Sequence, residues 1–245
     1  LIEEITKAIK PFVFFNNPVR YDLIAVEAVS TYVFNLFEAI PYLHLTGAKG
    51  SGKTTLIKIL FSLSHNPVRT ASVTAPNLFR MIDKEQPALF IDEAEDLEKR
   101  GSSNGPVIQV LNSGYKKGEV VYRLIKGVST PYSTYCPKVI AGINSLNPAL
   151  EDRCITIEMK KAPSSNKVAH LTNDVQNKLE SLKPVIVRTL DKRMPELIKI
   201  INNPASLKLN PEIQNRELEK WFPILAIAKV FSTKKNNYFE QIQKF

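Results

Sequence analysis

Three features of the sequence together predict an α/β fold: short apolar runs separated by longer mixed segments, a glycine-rich octapeptide between one such run and a helical stretch, and a change to helical periodicity past residue 166. The expected architecture is a parallel-sheet core over residues 20–162, covered by helices and preceded by a connecting segment at 1–19. A small all-helical lid domain is expected at 163–245. Strands alternating with helices are the pattern of a parallel sheet buried on both faces.

The first element is a helix over 20–37, where Leu23, Val26, Ala28, Val33, Phe34 and Phe37 keep one apolar side and Pro41 closes the segment. Apolar runs at 42–45, 88–91, 139–143 and 154–157 read as strands. The first leads into Gly47, Ala48, Lys49, Gly50, Ser51, Gly52, Lys53 and Thr54, and the helical run 55–60, opening with Thr55, follows. This is G-x-x-x-x-G-K-[ST] in full. A strand delivers the chain, glycines let backbone N–H groups wrap phosphates, and the next helix points its positive end at them. Lys53 is expected to neutralise the β- and γ-phosphates of ATP and Thr54 to ligate Mg2+.

The run at 88–91 ends in Asp92 and Glu93. Asp92 is expected to hold the magnesium, directly or through water, and Glu93 to orient or deprotonate an attacking water. A P-loop small-molecule kinase needs no such water-activating carboxylate, so hydrolysis outranks phosphoryl transfer to an acceptor. The strand at 138–143 ends at Asn144, either a contact to the γ-phosphate or lytic water or a turn former ahead of Ser145-Leu146-Asn147-Pro148. Between them, the glycine-bounded alternation of 114–127 predicts a hairpin arm.

A polar breaker cluster at 162–166 marks the change of character. Beyond it, helices are expected over 183–190, 195–201 and 215–230, punctuated by Asn202-Asn203-Pro204 and Asn210-Pro211.

The chain has 245 residues, 44% hydrophobic and 23% charged, enough for one full core plus a small second domain. No apolar run approaches the roughly 20 residues that span a bilayer. The start, Leu1 followed by Glu3 and Glu4, does not read as a signal peptide, and a first residue other than Met suggests a piece of a longer protein. Cys136 and Cys154 read as reduced packing thiols of a cytoplasmic protein, and His44, His65 and His170 form no metal-ligand pattern. Of the net charge of +9, +3 falls in 1–162 and +6 in 163–245. That permits contact with a polyanion such as DNA, or is a solvated basic surface.

The order of P-loop, Asp-Glu pair, polar strand tip and arginine resembles that of the AAA+ ATPases. More closely, the chain is similar to the ATPase (helicase) domain of replication proteins from phages, plasmids and mobile elements. That group is related to primase-helicases and minichromosome-maintenance-type helicases. The stretches that carry the resemblance are 21–60, 88–92, 111–126, 135–160 (YCPKVIAGINSLNPALEDRCITIEMK) and 215–228 (NRELEKWFPILAIA). It implies that Asn144 is a sensor of the nucleotide and that Arg153 is an arginine finger reaching the nucleotide of a neighbouring subunit; the local alternative for Arg153 is an ion pair with Glu151 or Asp152. It implies a second sensing arginine at Arg216, the alternative being a surface arginine paired with Glu212 or Glu219. The hairpin would enter a central pore, where Lys116, Lys117, Arg123 and Lys126 meet DNA phosphates and Tyr115 or Tyr122 stacks on bases.

These implications add up to an ATP-driven DNA helicase or translocase, a homo-oligomeric, hexameric ring on single-stranded or forked DNA, with further domains in the parent protein. The rivals are an ATP-dependent loader or remodeller without unwinding activity, a P-loop kinase, and a non-catalytic nucleotide switch.

Overall fold

The computed structural model describes residues 1–70, 75–92, 94 and 105–245. Five parallel strands form its central sheet in the order β2-β3-β6-β1-β7. They are β1 (Tyr42–Thr46), β2 (Pro67–Thr70), β3 (Ala88–Ile91), β6 (Lys138–Gly142) and β7 (Cys154–Glu158). The remaining two, β4 (Val120–Ile125) and β5 (Val128–Ser133), make a separate antiparallel hairpin. The expected α/β core is therefore present, followed by helices. β2 has no counterpart among the expected strands. Pro-Val-Arg-Thr is short, half-exposed and at the sheet edge, so it lacks the apolar run by which the buried strands are recognised.

The pleat sorts side chains to two faces. Leu43, Leu45, Ala88, Phe90, Ile155 and Ile157 join one apolar core. Helices α1 (Ile2–Ile9), α2 (Val19–Ser30), α3 (Lys53–Leu63), α7 (Asn173–Glu180), α8 (Lys183–Asn202), α9 (Asn215–Phe231) and α10 (Tyr238–Ile242) pack on that side. Tyr42, Leu89, Ile91, Ile140 and Cys154 face the other core, covered by α4 (Ala75–Glu85), α5 (Gly105–Ser113) and α6 (Pro148–Glu151). The stretch expected as a connector thus contains α1, whose Ile2, Ile5 and Ile9 are buried in the same core as α9 and α10.

Three expectations of element extent need correction. The helix expected over 20–37 ends at Ser30, and a 3₁₀ turn covers Phe34–Leu36. Ser30 and Thr31 hydroxyls bond back to the carbonyls of Glu27 and Ala28, and Thr31 Oγ1 also accepts from the His65 N–H, so the last turn is tied off locally. Conversely, 183–190 and 195–201 belong to one helix, α8. Pro195 lies on its exposed side while Ile186, Leu190, Leu197 and Ile200 continue the buried stripe through it, and that burial outweighs the local penalty of the proline. The hairpin covers 120–133 instead of 114–127, and Gly127 forms its turn with Lys126, both at positive φ (81° and 50°). No helix among the described residues is long and apolar enough to cross a membrane.

Candidate phosphate-binding site

At the carboxyl end of β1 the chain turns through Gly47–Gly52 and enters α3 at Lys53. The loop needs its glycines. A Cβ at Gly47, where φ is 144°, would lie 2.3 Å from the Met159 carbonyl oxygen, and Gly52 takes φ 97° immediately before the helix. A cavity of about 540 Å³ opens against this loop, lined by Lys49, Gly50, Ser51, Gly52, Lys53, Thr54 and Thr55, with Asp92 from the end of β3 and Ala141 and Ile143 from β6 and its exit. The first-turn N–H groups of α3 have no intrahelical acceptors and sit at the positive end of its dipole.

The residues fit a nucleotide phosphate and a magnesium ion. The Lys53 ammonium is folded onto the loop, donating to the carbonyls of Gly47 and Ala48. Ser51 Oγ is buried without a hydrogen-bond partner among the described residues, a hydroxyl that a phosphate oxygen would satisfy. Thr54 and Asp92 bring a hydroxyl and a carboxylate to the same cavity, hard oxygen donors of the kind magnesium selects. Glu93 lies outside the described residues.

Strand order explains how Asn144 comes near. β6 lies between β1 and β3, so its tip emerges between the P-loop and Asp92. Ile143 lines the cavity and Asn144 follows it, exposed. Thr46 Oγ1 donates to the Ile143 carbonyl at 3.3 Å, fastening this exit to the end of β1.

Two cations at the site carry no sequence signal. Arg69, at the end of β2, places Nη2 2.7 Å from Asp92 Oδ2. Lys161, past β7, is so close to the loop that a Cβ at Gly50 would lie 3.9 Å from its Nζ. Both arrive through parallel pairing, β2 beside β3 and β7 beside β1.

Arg153 and Arg216 are elsewhere. Arg153 immediately precedes β7, and its carbonyl accepts from the Tyr42 N–H at the start of β1. It therefore stands at the amino edge of the sheet, roughly 15 Å of strand from the P-loop of its own chain. Its guanidinium donates to the Ala149 carbonyl, and neither Glu151 nor Asp152 forms an ion pair with it among the described residues: Glu151 engages His44, and Asp152 engages Arg216. Arg216 Nε lies 2.5 Å from Asp152 Oδ2, so this arginine sits beside Arg153 and does not line the phosphate cavity; its partner is neither Glu212 nor Glu219. No residue of 163–245 lines that cavity.

The basic residues of the hairpin region divide. Lys116 pairs with Glu219 of α9 at 2.8 Å, and Lys117 Nζ donates to the Asn35 carbonyl at 2.9 Å, so both are held on the body. Tyr115 is 1% exposed and is not available for stacking, which corrects the sequence expectation. Arg123 lies over the Phe79 ring of α4, while Lys126 occupies the exposed tip and Tyr122 is 61% exposed. Leu124 and Val128 are also exposed near the tip.

No family model and no curated protein sequence matches the chain. Solved structures do match. The apo C-terminal region (305–718) of NrS-1 aligns with a TM-score of 0.44 and 12% identity, over 92% of this chain and 66% of that one. The JCV helicase, alone and with an inhibitor bound, aligns with a TM-score of 0.42 and 14% identity, over 100% of this chain and 60% of that one. The chain thus spans less than two thirds of the structures it is similar to.

Proposed function

We propose that this chain is the ATP-hydrolysing motor domain, the DNA helicase or translocase, of a mobile-element or phage replication protein, working in the cytoplasm as a homo-oligomeric, hexameric ring. The observation that carries the reading is the convergence of a complete P-loop, a helix N-terminus and Asp92 on one cavity, with Arg153 at the opposite edge of the sheet. Lys53 neutralises the terminal phosphates, and Thr54 and Asp92 would hold magnesium, which would supply further neutralisation of the triphosphate charge. Glu93 takes the proton of the attacking water, and Asn144 orients that water or the γ-phosphate. Arg153 is too far along the strand to serve its own nucleotide, so the reading gives it to the next subunit, where a guanidinium in trans stabilises transition-state charge. Hydrolysis then depends on assembly.

ATP turnover measured against protein concentration, with and without single-stranded DNA, tests this. The expected result is specific activity that rises cooperatively with concentration and rises again with DNA, and that Glu93→Gln reduces by at least about 100-fold while ATP still binds. Flat specific activity, indifferent to both variables, would overturn the motor reading.

A second reading is an ATP-dependent loader or remodeller that binds DNA without unwinding it. It is favoured by the hairpin, which exposes Tyr122 along β4, Leu124 and Val128 near the turn and the cation Lys126 at the tip, while Lys116 and Lys117 are tied to the body. A strand-displacement assay on forked DNA separates the two.

A further inference from the structure

His44 is completely buried at the centre of β1, with Nδ1 3.1 Å from Glu151 Oε2 and 3.3 Å from Oε1. A carboxylate can only accept, so Nδ1 carries the proton. Thr156 of β7 donates its hydroxyl to Glu151 Oε1, and the Leu146 N–H donates to Oε2 at 3.2 Å. Burial pushes the Glu151 carboxyl up, but the bonds from Thr156, His44 and Leu146 outweigh it and hold the group below its ordinary range. One carboxylate therefore joins β1, β7, the strand-tip loop and α6.

Its neighbours in sequence are the residues the proposed reaction uses. Leu146 is two residues past Asn144, whose loop is also fastened by Thr46 to the Ile143 carbonyl. Arg153 is two residues past Glu151 and is bound into the turn that closes α6, its N–H donating to the Leu150 carbonyl at 3.0 Å and its guanidinium to that of Ala149. An ionised group against a buried imidazole costs desolvation that an apolar pair would avoid. What such a network supplies in return is a single fixed geometry. Here it fixes the Asn144 loop relative to the Arg153 turn.

We propose that Glu151, held by His44 and Thr156, is a positioning residue that couples the loop carrying Asn144 to the turn carrying Arg153. The nucleotide state read at the carboxyl end of the sheet then sets the arginine offered at the amino edge. The proposal rests on the assignment of Arg153 as a residue acting in trans.

A double-mutant cycle on the assembled full chain tests it, using Glu151→Gln, Arg153→Ala and the pair. Glu151→Gln is expected to lower kcat about tenfold or more with KM within about twofold, since misplacement of a reacting group costs rate before it costs binding. The paired variant should be no slower than Arg153→Ala alone. Thr156→Val, which removes one bond with little change of volume, gives the same non-additivity with a smaller single effect, and it decides the matter if Glu151→Gln does not fold. Multiplying effects, or an unchanged kcat in Glu151→Gln, would overturn the coupling while leaving the motor reading intact. Arg153→Ala with wild-type turnover would remove the trans assignment and this proposal with it.

Discussion

On α2, the Glu27 carboxyl is buried against Thr31, Leu60 and Ser64, and its Oε1 has no hydrogen-bond partner among the described residues. Desolvation pushes its pKa up to about 8, Ser30 pulling weakly the other way. The unfolded chain releases this proton near 4.5, whereas the native protein holds it until about pH 8. The native state is therefore favoured below the unfolded value, and the advantage is lost as pH rises from 4.5 through 8, by up to about 5 kcal/mol in order of magnitude. Glu27→Gln should keep the fold and remove this dependence. Thermal melts at pH 5.5 and 8.5 check it: the wild type should lose about 5 °C or more relative to the variant at the higher pH. Equal slopes would mean that the carboxyl finds a partner or water. Glu27 has no legible signal of its own, being one glutamate in a helix; only packing shows that it points inward. The P-loop residues are the opposite case, because every P-loop group proposed to bind phosphate lies within eight consecutive positions.

At the scale of elements, the hairpin is set by its base. Buried Lys138, at the start of β6, donates to the carbonyls of Gly114, Thr134 and Cys136 at 3.2, 2.9 and 3.0 Å and lies over the Tyr42 ring. Burial lowers its pKa, and the three carbonyls with the ring face are what it has in place of water. One ammonium thus ties together the chain entering and leaving the arm. Gly114 is part of the same knot, since a Cβ there would lie 2.2 Å from the Thr134 carbonyl oxygen and 2.4 Å from Lys138 Nζ. Gly114→Ala should cost about 1–3 kcal/mol through overpacking and speed amide exchange across β4 and β5. Gly105→Ala, with nothing among the described residues within 4 Å of its Cβ, should do neither. Alternation and a glycine made an arm legible in the sequence. Its register was not, because Gly127 reads equally as a boundary or as a turn until strand pairing decides.

For the whole molecule, the parallel sheet separates two groups of residues by the length of its strands. The P-loop residues and Asp92 line one cavity at the carboxyl ends, and Arg153, with Arg216 on the adjacent Asp152, stands at the amino edge. If hydrolysis joins one subunit's P-loop to the next subunit's Arg153, Arg153→Ala should cut turnover about 10³-fold or more while each subunit still binds ATP. Mixing the variant into wild-type protein should then depress activity by more than simple dilution, and a linear mixing curve would place the arginine outside the reaction.

Readable from the residues alone were the α/β class, four of the five sheet strands, and the P-loop with Asp92, which lines the same cavity. Each is a local pattern: an apolar run, a glycine spacing, a carboxylate at a strand end. Tertiary structure alone decided which strand lies beside which, and with it the approach of Arg69 to Asp92, of Lys161 to the loop and of His44 to Glu151. It also took Arg216 away from the phosphate cavity and α9 onto the core shared with α2. Those outcomes depend on pairings between residues tens of positions apart, where the free energy of burying a whole face chooses the neighbour and no single residue type announces it.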